Sequence, residues 1–276
     1  MTETPDTITM PSPIGDIRSV PADDGYSLTY RVWTTAEATT TLVLINGIMS
    51  HSLWFGPLIE SFDSKRFHIV GADRRGSGLN DAGRGDAPSA KTLVSDIARI
   101  VRHERRAGGP LVLVGWCWGA VLAIHVTLHL EETVNRLVLT APGLFPSDEV
   151  KARARKIAEE SSDIFQSPVE EAMFTQGPYL DGFIRKDARR LTEMTPRFFD
   201  LMSRMSIAAK AKLGRLSIPT LVVLAKDDRA TDNTQTRETF QALKNVTFAT
   251  VDGGHGIQFD APDETARHIV SWIGNE

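Results

Sequence analysis

Residues 111–120 read LVLVGWCWGA, and the reading of this stretch decides the fold. Leu111 to Val114 is a run of four apolar residues, short enough for a strand buried on both faces. Gly115-Trp116-Cys117-Trp118-Gly119 follows, and from Ala120 to Leu130 the chain takes on helical character, with His125 and His129 spaced i, i+4. A Gly-x-Cys-x-Gly segment between a strand and a helix has the form of a nucleophile elbow. The glycines let the backbone pack tightly on either side of a strained turn while the central side chain points outward. The helix then directs its positive end and its free N–H groups at that side chain, which favours a thiolate. Leu111–Leu130 contains no Asp, Glu, Lys or Arg and is long enough to span a membrane. The glycine-flanked break in its middle reads instead as strand, turn and buried helix.

Outward from this stretch, apolar runs recur at intervals. Ser27–Trp33 alternates as a first strand. Thr41–Ile45, Phe67–Ala72, Val134–Thr140, Pro219–Leu224 and Val246–Val251 read as further strands. Ala90–Arg106 and Asp263–Ile273 carry apolar residues at helical spacing. Strands alternating with helices predict an α/β protein with a mostly parallel central sheet and helices on both faces. Between Ala141 and about Leu216 no strand candidate occurs. Asp148–Ser161, Val169–Phe174 and Pro196–Lys212 read as helices, so a helical cap is expected over the C-terminal strand ends, where ligands bind in open α/β sheets. The predicted organisation is a loose tail over 1–22, a core of 23–143 and 217–276, and a cap of 144–216 inserted in that core.

Composition removes several function classes. The 276 residues are 41% apolar and 24% charged, ordinary for a globular chain. A formal charge of −4 offers no global basic field for nucleic acid or anionic membrane. The single cysteine, Cys117, makes no disulfide framework and no zinc site. Residues 1–20 lack a basic leader and an apolar core, so a cytoplasmic location is expected.

The remaining chemistry follows the order nucleophile, acid, histidine. Asp228 lies just after the Leu221–Leu224 strand, with Asp227 its rival and Asp232 a more distant one. His255 sits in Gly253-Gly254-His255-Gly256, 27 residues on, room for one helix and one strand. Asn46-Gly47-Ile48-Met49 occupies an early strand-end loop, where a backbone N–H for an oxyanion hole belongs. Trp118 and Ile48 are the expected donors, with Met49 next in line for the second. Met49, His51, Trp54 and Trp116 are expected to border substrate, a surface or packing role being the equal alternative for His51 and Trp54 and for Ser50 between them and the loop. Asp73 and Arg75 are expected to brace their loop by salt bridging, and His125 and His129 to pack against the sheet. Lys151–Lys156 reads as a solvated face or an attraction for an anionic carrier. Met194, Phe198, Phe199, Leu201, Met202 and Met205 form an apolar face suited to a lid or to a dimer contact.

From about Asp24 to Ile273 the sequence resembles the α/β-hydrolase family, and within it the monoacylglycerol lipase and lysophospholipase branch. The likeness rests on Asn46-Gly47, Asp73-Arg74-Arg75-Gly76-Ser77-Gly78, Thr140-Ala141-Pro142-Gly143, Ile218-Pro219 with the Asp228 loop, and Gly254-His255. Two departures stand out: Cys117 replaces the usual Ser, and Trp116 replaces a common His. Cysteine at the elbow is similar to the arrangement in dienelactone hydrolases and polyhydroxyalkanoate synthases. The resemblance implies an α/β-hydrolase fold and a Cys117–His255–Asp228 triad hydrolysing a carboxylic ester or thioester through an acyl-cysteine. An acyltransferase or cyclase using the same intermediate is the alternative, and a non-catalytic binding protein on the same scaffold is a third. No cofactor and no metal are called for. The expected partner is a small acyl substrate, thioester carriers included, with neither nucleic acid nor stable membrane insertion. Oligomeric state stays open.

Overall fold

The continuous apolar runs become the interior of one eight-stranded sheet in the computed structural model, which describes residues 14–160, 163–175 and 177–274. The strands are β1 (Asp16–Pro21), β2 (Ser27–Trp33), β3 (Thr40–Ile45), β4 (Phe67–Ala72), β5 (Leu111–Cys117), β6 (Arg136–Pro142), β7 (Thr220–Ala225) and β8 (Val246–Val251). Their spatial order is β1-β2-β4-β3-β5-β6-β7-β8. β2 pairs antiparallel with β1 and β4, and every other pairing is parallel. Every residue of β3, β4, β5 and β7 is buried, as parallel strands covered on both faces must be.

Six helices of eight residues or more accompany the sheet: α1 (Ala90–Glu104), α2 (Trp118–His129), α3 (Asp148–Glu160), α4 (Pro196–Lys212), α5 (Asn233–Gln241) and α6 (Pro262–Gly274). Ser89 starts α1 by accepting the Thr92 N–H at 3.0 Å, and Leu93, Ile97, Ile100 and Val101 turn inward. α2 buries nearly its whole circumference, which explains the charge-free run after the elbow. The stretch that matched a membrane span in length is thus β5, a turn and α2. No described helix is long and apolar enough to cross a membrane.

Three expectations need correction. The tail expected over 1–22 is strand β1 from Asp16 to Pro21; residues 1–13 lie outside the described residues. β1 is a polar edge strand without apolar alternation, held by Arg18 donating to Glu104 at 3.0 Å, so its sequence carries little strand signal. The insertion between β6 and β7 also contains strands: Phe165–Gln166 pairs antiparallel with Glu193–Met194. Two residues each are too few to leave a pattern. The helix expected over Val169–Phe174 shrinks to a single turn of 3₁₀ helix, Glu171–Met173. α3 and α4 form as expected, α4 capped by Thr195 accepting the Phe198 N–H at 3.1 Å; Ser161 lies outside the described residues. On the apolar face of the insertion, Met194, Phe198, Met202 and Met205 are turned inward and buried.

Candidate active site

Cys117 ends β5 with φ at 57°, a left-handed conformation that a non-glycine residue holds at a cost of about 1–3 kcal/mol. The flanking glycines make this turn possible. A Cβ on Gly115 would stand 2.6 Å from Ala120 Cα, and one on Gly119 would stand 2.2 Å from the Ile45 carbonyl oxygen. Strand, elbow and helix therefore close on each other more tightly than any side chain allows. The β5–β6 register also shifts between Trp116 and Cys117, so that Cys117 stands opposite Pro142 and its carbonyl accepts the Gly143 N–H at 2.8 Å. The same close approach occurs across the loop after β3, where a Gly47 Cβ would lie 2.9 Å from Cys117 Cβ.

Asp228 follows β7, and its side chain is fully buried. Oδ1 accepts N–H bonds from Ala230 at 2.8 Å and Thr231 at 2.9 Å, while Oδ2 accepts the Thr231 hydroxyl at 2.7 Å. The carboxylate faces His255, whose Nδ1 lies 2.9 Å from Oδ2. Asp227 is exposed and its N–H donates to the Gly253 carbonyl, whereas Asp232 caps α5 by accepting the Gln235 N–H. Of the three acids, Asp228 alone meets the histidine.

His255 is held from all sides. The insertion accepts its loop: His255 N–H donates to Met173 O at 3.2 Å and Gly256 N–H to Phe174 O at 2.7 Å. The ring packs against both Trp116 and Phe174, with centroids 5.7 and 5.6 Å away, and those two rings meet each other at 5.5 Å. Burial disfavours the imidazolium, but the Asp228 carboxylate and then the Cys117 sulfur outweigh it and raise the His255 pKa to about 10. Burial likewise pushes Asp228 up, and His255 with the Thr231 donors brings it below its usual value. His255 Nε2, the nitrogen turned away from Asp228, is buried without a well-formed hydrogen bond, although Cys117 is near enough to act on the ring. Such contacts are often loose before a ligand is bound.

Cys117 and His255 border a cavity of ≈ 300 Å³ that Ile48 and Trp118 also line. Trp118 is the first residue of α2, so its N–H belongs to the helix start without an intrahelical acceptor. Ile48 is set by its neighbours. Asn46 Nδ2 donates to Gly47 O at 2.9 Å and also to Ser50 O, and Arg74 donates to Ile48 O. Holding Gly47 O fixes the plane of the peptide whose other end is the Ile48 N–H. The remaining walls come largely from the insertion and are apolar: Leu144, Val150, Val169, Phe199 and Met202 among them.

The structure does not bring the other expected pocket residues to this cavity. Met49 is buried and does not line it, its carbonyl accepting the Leu191 N–H at 2.8 Å. His51 Nε2 and Trp54 Nε1 lie 2.8 and 2.7 Å from Asp187 Oδ2, pinning the insertion to the core. Trp116 is fully buried behind His255 and donates to its carbonyl at 2.8 Å. These four polar or large side chains were placed at the pocket because they neighbour the loop; their own partners turn them inward. Arg75 pairs with Asp96 and Asp24 as expected, whereas Asp73 accepts the backbone N–H groups of Ser52 and Leu79 and forms no salt bridge among the described residues. His125 donates to Met205 O at 2.9 Å and so ties α2 to α4. Met173 and Phe174 carry no sequence signal, because they act through backbone carbonyls; the signal for Thr231 is its place three residues after Asp228.

Residues 36–261 match the family described as serine aminopeptidase, S33. Among curated relatives, a phospholipase of Bacillus subtilis (strain 168), YtpA, is 22% identical over 241 residues, spanning 84% of this chain and 93% of its own. Among solved structures, a soluble variant of the Saccharomyces cerevisiae monoglyceride lipase, bound to a substrate analog, superposes with a TM-score of 0.81 at 13% identity, over 96% of both chains. The monoacylglycerol lipase of Paleococcus ferrophilus gives a TM-score of 0.75 at 21% identity, over 89% of this chain and 98% of its own. The sheet order and these likenesses establish the α/β-hydrolase fold.

Proposed function

The chain belongs to the hydrolase family described as serine aminopeptidase, S33, and from that premise we propose that it hydrolyses a carboxylic ester or thioester through an acyl-cysteine on Cys117. The observation that carries this reading is the buried Asp228–His255 pair set beside Cys117 at one cavity wall. Asp228 holds Nδ1 and supports positive charge on the ring, and His255 takes or shares the thiol proton. The sulfur attacks the carbonyl carbon, a C–S bond forms, and the N–H groups of Trp118 and Ile48 receive the oxyanion. His255 returns its proton to the departing alkoxide or thiolate as the bond to the leaving group breaks. Water, activated by the same ring, then cleaves the thioester and regenerates the thiol. The insertion serves as the cap that selects substrate.

Two features favour an ester over a peptide. The cavity lining includes no carboxylate among the described residues, so nothing there would receive the ammonium of a peptide N-terminus. Its walls are mostly apolar and its volume, ≈ 300 Å³, is at the lower end for ligand sites, which suits a short or medium acyl group. A thioester intermediate also keeps its reactivity toward amines and thiols, so acyl transfer from Cys117 is the second reading.

p-Nitrophenyl esters of graded acyl length, with and without a primary amine, test both. Hydrolysis that is lost in Cys117→Ala supports the first, and a new amide formed at the expense of free acid supports the second. No turnover of any ester, or turnover indifferent to Cys117→Ala, would sink the proposal.

A further inference from the structure

The cavity beside Cys117 carries two charges that the hydrolysis does not use. Lys151 of α3 and Lys210 of α4 both line it, and the described lining residues include no Asp or Glu, in a protein whose net charge is −4. Nearby acids are spent elsewhere: Glu149 pairs with Arg229 at 2.9 Å, and Glu170 pairs with Arg153. Lys151 pairs with Asp148 at 3.0 Å, whose side chain is 97% exposed and so screened by water, and otherwise feels Asp232, a carboxylate already occupied in capping α5. Lys210 forms no ion pair among the described residues, and its ammonium stands 5.2 Å from the Phe145 ring centroid. Both lysines are half-buried against an apolar wall. An ammonium in that setting has lost part of its hydration and gains from an anion entering the cavity. That the two come from the two long helices of the insertion, converging on one cavity, distinguishes them from lysines scattered on a surface.

We infer that the cavity takes an anionic amphiphile: an acyl or alkyl chain along the apolar wall, and a phosphate or carboxylate between Lys151 and Lys210. This rests on reading the cavity as the substrate site, and it narrows the substrate from any ester to one bearing a negative group away from the scissile carbonyl. The neutral alcohol head of a simple glyceride would offer neither lysine an anion from within the cavity.

Binding, which needs no turnover, tests this. Decyl phosphate, decanoate and 1-decanol are titrated by calorimetry into the intact protein at low and moderate salt. The expected result is at least tenfold tighter binding of one or both anions than of 1-decanol, weakened by salt. Whichever anion binds more tightly identifies the head group. In the double variant K151Q/K210Q the preference for the anion disappears, and in K151R/K210R it is retained, which separates charge recognition from a packing change. Equal binding of anions and alcohol by the intact protein, binding of none of the three, or a preference that survives K151Q/K210Q would overturn the inference. Anion preference in a protein that turns over no ester would leave this inference standing and remove the hydrolytic reading.

Discussion

Cys117, Asp228 and His255 hang from the ends of β5, β7 and β8, whereas the insertion packs on that platform through side chains such as Phe174, Phe183 and Phe198 and through scattered polar ties. β5 and β7 are buried at every residue. The insertion is held by Asp187 to His51 and Trp54, by Leu191 to Met49, and by the carbonyls of Met173 and Phe174 to the histidine loop. Groups that must keep their positions to a fraction of an ångström are thus built on the sheet. Residues that line the cavity from the insertion, such as Phe199, Met202 and Lys210, sit on α4, outside the sheet. The comparison predicts that damage to the sheet-borne set lowers rate, and that damage to the insertion alters stability or selectivity.

The largest effect belongs to the acid. Asp228→Asn keeps the shape but not the charge opposite His255 Nδ1, and the rate of acyl-enzyme formation is expected to fall by about 10³–10⁴-fold. Stopped-flow release of p-nitrophenolate checks it; a loss under tenfold would mean that the pair does not drive the chemistry. On the other side of the comparison, Asp187→Asn leaves Trp54 and His51 with a weaker acceptor. A destabilisation of about 1–3 kcal/mol is expected in urea unfolding, with no comparable fall in rate constant for the protein that remains folded.

How much of this was legible in the sequence follows the same division. The core strands announced themselves because burial on both faces requires unbroken apolar runs, and the glycines at 115 and 119 announced the elbow because nothing larger fits. The order Cys117, Asp228, His255 followed from the strand ends. The insertion was legible only where helices ran for three turns. Its two-residue strands carry no period, and its contacts to the histidine loop use carbonyls that every residue possesses. Trp116 and Trp54 were misassigned to the pocket for a related reason: sequence places a side chain near a loop but does not say which way it faces, and here Asp187 and the His255 carbonyl decide.

Two smaller effects sharpen the contrast. The raised pKa of His255 means that its ionic contribution to stability is complete below its ordinary value of 6.5 and is lost as pH climbs toward about 10. Wild type should therefore lose more of its urea midpoint between pH 6 and pH 10 than His255→Gln does; equal losses would contradict a charged, paired ring. In the insertion, Met202→Phe reduces the cavity, and the preferred acyl length is expected to shorten with a change of about tenfold in kcat/KM between neighbouring chain lengths. A uniform fall at all lengths would assign Met202 to the chemistry instead of to selection.

The central claim is that Cys117 carries the acyl group. Intact-mass measurement after rapid mixing with p-nitrophenyl octanoate, followed by peptide mapping at acidic pH, tests it most directly. The account predicts one added octanoyl group, located on the peptide that contains Cys117 and absent from Cys117→Ala. Ester turnover with the adduct on another residue, or with full activity in Cys117→Ala, would contradict it.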